Sequence, residues 1–144
     1  MTPPGNPALR QLAVRALESR LGSAEGPEAL AAAARQAYDD LARVSAPLIG
    51  QIGVDALTGR ALHLAQREFP WLLPTGEADP DGGPFALVVF RLQQEELAVA
   101  TEATETVFSL LTGLMGTFIG DSLTASLLKK AWPDAFADST TEEP

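Results

Sequence analysis

Leu30, Ala34, Ala37, Leu41, Val44 and Leu48 recur at intervals of three and four residues. That spacing places all six on one side of an α-helix. Arg35, Asp39, Asp40 and Arg43 fall largely elsewhere on the same helix, so the stretch has one face for a core and one for solvent. The alanines at 31 to 34 favour helix and let a neighbouring helix pack closely. This helix opens at Gly26-Pro27 and is expected to break near LIGQIG, where Pro47, Gly50 and Gly53 interrupt the pattern.

The same punctuation organises the rest of the chain. A first helix is predicted from Pro7 to Leu21, with Asn6 as cap, Pro7 in the first turn and Gly22 as stop. A third restarts around Asp55 and ends at Phe69-Pro70-Trp71. PWLLPTGEADPDGGP, residues 70–84, is a loop, because its prolines remove amide donors and its glycines admit left-handed turns. A long helix is predicted over 84–118, although FALVVF (85–90) also has strand composition. Phe90, Leu97, Thr104, Leu111 and Phe118 share one heptad position, and Ala100, Val107 and Leu114 share the complementary one. A last helix follows Asp121 and stops at Trp132-Pro133. The expected fold is all-α, with about five helices: two stacked long-short helical hairpins covered by the N-terminal helix. It forms a single domain over 7–133, with halves 7–70 and 84–133. Residues 1–6 are expected to be disordered and 134–144 to be a flexible acidic tail.

At 144 residues the chain suits one core. It has no cysteine, which removes disulfides, thiol catalysis and thiolate metal sites together. Residues 1–70 balance seven Lys/Arg against seven Asp/Glu, whereas residues 71–144 carry three against twelve, so the formal charge of −9 arises in the second half. That half repels a polyanion, and nucleic-acid binding is not expected. The N-terminus shows no secretory pattern, and a cytoplasmic location is expected.

Two segments resemble each other. DALTGRAL (55–62) and DSLTASLL (121–128) share Asp, Leu, Thr and the final Leu at an offset of 66, and an Ile-Gly pair precedes each. The pattern suggests a weak internal duplication, with Asp55 and Asp121 as helix N-caps at the repeated motif. Within the second copy, GDSLT (120–124) resembles the nucleophile block of the GDSL esterases and lipases. That family places the block near the N-terminus after a first β-strand, with a downstream Asp-x-x-His pair and Gly and Asn oxyanion donors. Here the block lies late, after helices, and no histidine follows Ser122. A serine hydroxyl without a base is a poor nucleophile, so Ser122 is expected to be an ordinary helix-start residue.

No other catalytic, metal or cofactor set emerges. His63 is the only histidine, which rules out the paired Glu-x-x-His ligands a di-iron bundle needs from Glu95, Glu96, Glu102 and Glu105. VFSLLTGLMGTFIG (107–120) carries no charge and contains two ladders of small residues, Ser109-Gly113-Thr117 and Thr112-Gly116-Gly120. Such ladders let helices approach closely, either another helix of this chain or a second copy, but the run is shorter than the roughly 20 residues a bilayer span needs. The functional expectation is a non-enzymatic protein-interaction or regulatory module with an unknown protein partner. It would self-associate, as a homodimer, through the small-residue face of the helix 84–118. One alternative is a bundle holding a small apolar ligand lined by Trp71, Phe118 and Trp132. The other is membrane interaction through 107–120.

Overall fold

The computed structural model describes residues 7–72 and 84–136. The expectations for residues 1–6, the middle of the Pro/Gly loop and the tail beyond 136 lie outside them. Among the described residues there are five α-helices and no strand: α1 (Pro7–Leu21), α2 (Pro27–Ala65), α3 (Pro84–Leu92), α4 (Leu97–Ile119) and α5 (Asp121–Ala131). Short 3-10 turns follow α2 at Pro70–Leu72 and α5 at Pro133–Phe136.

α2 keeps helical torsions at Pro47 and Gly53 and departs from them only at Gly50, with φ 84° and ψ 154°. It is therefore two arms folded at one glycine, and the predicted restart at Asp55 moves to residue 51. The expected helix over 84–118 is in fact two. The peptide amides of Gln94 and Glu95 bond back to Arg91 and Leu92, and α4 begins with Ala100 N–H donating to the Glu96 carbonyl at 2.8 Å. An unbroken helix of that length would reach roughly 50 Å, beyond what one small core can cover. The turn instead lets α3 lie over α2, so FALVVF is helix. The heptad seam divides accordingly. Thr104 and Leu111 are buried with Ala100 and Val107, whereas Phe90, Leu97 and Phe118 are exposed.

Phe85 of α3 ties the hairpins together. It stacks on Tyr38 at 4.3 Å between ring centroids and meets Phe108 of α4 at 5.5 Å. Phe108 in turn meets Trp132 edge-on at 5.6 Å, and the indole Nε1–H donates to the Ala37 carbonyl at 3.0 Å. These rings supply the bulk of a core otherwise rich in alanine, where helices lie close. α4 runs through the middle, burying Ala103, Thr106, Val107, Phe108 and Ser109 on successive sides. A stretch buried nearly all round, as α4 is from Ala103 to Thr112, has no use for charge, and this accounts for the first part of the uncharged run at 107–120. Its core threonines bond their own backbone: Thr104 Oγ1 to Ala100 O at 2.7 Å, and Thr112 Oγ1 to Phe108 O at 2.8 Å.

α1 covers α2 and α4. Arg20 is its clasp, donating to Asp40 Oδ2 at 2.6 Å and to the carbonyls of Ala16 and Ala131. Ser19 donates to Asp134 at 2.7 Å and Arg15 to the Ala135 carbonyl at 3.3 Å. The expected tail from residue 134 is thus folded onto α1 as far as Phe136.

Candidate functional site

Gly50 and Gly120 adopt nearly the same backbone geometry, φ 84°, ψ 154° and φ 95°, ψ 154°. Each reverses a long helix into a short one. Aligning them sets the two halves 70 residues apart, rather than the 66 read from DALTGRAL and DSLTASLL, and Ile49-Gly50 replaces Ile52-Gly53 as the counterpart of Ile119-Gly120. Burial then agrees along both hairpins. Tyr38 and Phe108, Leu41 and Leu111, Ser45 and Met115, Thr58 and Leu128, and Leu62 and Trp132 are all buried pairs.

This register corrects both aspartate assignments. Asp55 lies inside the second arm of α2, where its Oδ1 accepts from Gln51 Nε2 at 2.9 Å. Asp121 is the first residue of α5, and its cap position is Gly120, with no side-chain cap bond. The Asp121 Oδ1 sits 2.8 Å from where a Gly116 side chain would begin. Gly116 therefore makes room for the corner of its own chain. The sequence comparison matched letters along the short helices, whereas the fold is matched at the turn.

Both corners emerge at the same end of the molecule. Tyr38 and Phe108, each twelve residues before its glycine, flank Phe85 at one level. A small cleft above them is lined by Leu41, Ser45 and Ile49 from α2 and by Leu111 and Met115 from α4. Antiparallel helices would carry Ile49 and Met115 apart from that level by roughly 25 Å, so α2 and α4 must ascend together. At the shared end, four large apolar side chains face solvent around the glycines: Leu48 at 51% exposure, Ile52 at 86%, Phe118 at 65% and Leu123 at 40%. Leu48 and Phe118 are themselves equivalent in the 70-residue register. Isolated exposed leucines are ordinary, but four large apolar side chains exposed around two corners at one end are a concentration of the kind that marks interaction sites.

The other sequence candidates lie elsewhere. Ser109 and Thr112 are buried in the core, Gly113 and Gly116 are half-buried, and Thr117 and Gly120 are exposed beside Phe118. The small-residue ladder is thus split between core and corner and does not form one free face. Trp132 is fully buried, Trp71 is half-buried edge-on to Phe69 at 5.9 Å, and Phe118 points to solvent, so the three do not share a pocket. The cleft between α2 and α4 carries Ser45, whose buried Oγ has no hydrogen-bond partner, and its interior has space for about one water. Ser122 is exposed in the first turn of α5, and His63 is exposed on α2. No group of three metal-ligating side chains occurs among the described residues. Among them, too, no helix is long and apolar enough to cross a membrane.

Burial pushes the Glu105 carboxyl above the ordinary glutamate range, against the pull of Arg10 at 3.6 Å. It likewise raises the Tyr38 phenol, opposed by the 2.8 Å hydrogen bond to Thr58. Tyr38 lines the base of the small cleft between α2 and α4, and Glu105 packs against Arg10 of α1. Comparison with protein-family models, curated proteins and solved structures finds no match. The exposed residues at the corners were invisible to sequence reasoning because Leu48 and Phe118 satisfy the apolar periodicity of their helices. Only the position of the turns reveals that the stripes run past the core.

Proposed function

We propose that the protein is a non-enzymatic protein-interaction module that presents its two glycine corners as the binding surface. The observation that carries this reading is the solvent exposure of Leu48, Ile52, Phe118 and Leu123 around the two glycine corners. Burying such side chains against a partner stabilises a complex by about 25 cal/mol per Å² of apolar surface, and nothing in the fold uses them. The reading moves the interface expected along 84–118 to the corner end, because Ser109 and Thr112 are occupied inside the fold. It places the protein in an aqueous compartment, the cytoplasm being the simplest.

The test is affinity capture from the native host with the wild-type chain and a Leu48→Ser/Phe118→Ser variant. A partner retained by the first and lost by the second is expected. Recovery of the same proteins by both would refute the reading.

A further inference from the structure

The corner surface is apolar but not neutral. From Val44 to Gly59 the sole ionic residue is Asp55, and from Thr106 to Leu128 it is Asp121. Among the described residues neither carboxylate forms an ion pair with a cation. The cations nearest in sequence stand seven or more residues from their glycine: Arg43, engaged with Asp40 at 3.1 Å, the exposed Arg60 on the second arm of α2, and Lys129 and Lys130 at the far end of α5. The residues within six positions of either glycine therefore combine Leu48, Ile52, Phe118 and Leu123 with two negative charges and no positive one.

We infer that the corners receive a basic amphipathic helix from a partner protein, a proposal that rests on the interaction reading above. Its apolar face covers the four exposed side chains, and lysines or arginines on its margins meet Asp55 and Asp121. Charge decides among the candidate occupants. A second copy would bring its own Asp55 and Asp121 against this pair, on a chain whose net charge is already −9, and like charges meeting across an interface oppose association. An anionic bilayer would meet the same repulsion. Geometry selects a helix over an extended peptide. No sheet edge exists among the described residues for strand addition, whereas an apolar surface between helices is the usual seat of an amphipathic helix.

The experiment titrates the full chain with a synthetic amphipathic peptide of leucine and lysine, followed by peptide fluorescence and amide chemical shifts. A peptide with glutamate in place of lysine is run beside it, together with vesicles of neutral and of anionic lipid. The lysine peptide is expected to bind and to shift amides around Gly50 and Gly120. Its affinity should fall about tenfold in Leu48→Ser/Phe118→Ser and weaken in Asp55→Asn/Asp121→Asn. Glu25→Gln/Glu28→Gln, which removes the same charge from α1's far connection, should leave binding unchanged. Equal binding of the glutamate peptide, binding indifferent to the corner variants, vesicle flotation, or a dimer dispersed by Phe118→Ser would each overturn the inference. If the lysine peptide fails while corner variants still lose the native partner, the helix proposal falls and the interaction reading stands.

Discussion

Gly50 and Gly120 hold torsions in which φ is positive and ψ is near 154°, a region open essentially to glycine alone. No atom lies close enough to block a side chain at either position, so the constraint is conformational, not steric. Gly50→Ala and Gly120→Ala should each destabilise the fold by about 1–3 kcal/mol, measured by urea unfolding. An unchanged midpoint would show that the corners relax without cost. Ser45 offers the opposite case. Its hydroxyl is buried without a partner, and Met115 fills the equivalent position in the second half. Ser45→Ala should stabilise by about 1 kcal/mol, since an unsatisfied buried donor costs about that much or more. A lower midpoint would mean that the hydroxyl is satisfied in solution.

At the level of the helix, α4 shows how position outweighs pattern. Its heptads imply a seam continuing from α3, but the QQEE turn ends that seam, and burial on nearly all sides between Ala103 and Thr112 replaces it. Glu105 is the ionic residue on this helix most affected by the packing. Its folded pKa is raised, so its contribution to stability is fully present below the unfolded value and lost as pH rises through the folded one. Glu105→Gln should therefore flatten the melting-temperature profile across and just above the ordinary glutamate range, with the wild type gaining relative stability on acidification there. Parallel profiles would place the cost elsewhere. Trp132 joins α5 to α2 through one indole hydrogen bond. Trp132→Phe should cost at least the roughly 1 kcal/mol of that bond, along with some packing.

For the whole molecule, the shared geometry of two hairpins separates what is needed for folding from what is left over. The side chains equivalent in burial build the core, and those equivalent in exposure, Leu48 and Phe118, contribute little to it. Leu48→Ser/Phe118→Ser should shift the melting temperature by no more than about 2 °C, as surface changes typically stay within about 0.5 kcal/mol. It should also reduce binding of a hydrophobic dye. A large loss of stability would instead make these residues part of the core.

The helical class, the boundaries of α1 and the stop at Trp132 were legible from the chain, because periodicity, prolines and caps act over a few residues. Two stacked hairpins under an N-terminal helix were legible for the same reason. Which glycine turns was not: Gly50 and Gly53 carry equal local permission, and the choice follows from which arm then buries Val54, Thr58 and Ala61. Asp55 and Asp121 looked equivalent as letters and are not so in the fold. The exposed corner was least legible of all, since an apolar stripe looks the same whether or not a neighbour covers its last turn. Local rules decide what a segment becomes; only the packing of the other segments decides which of its faces stays in water.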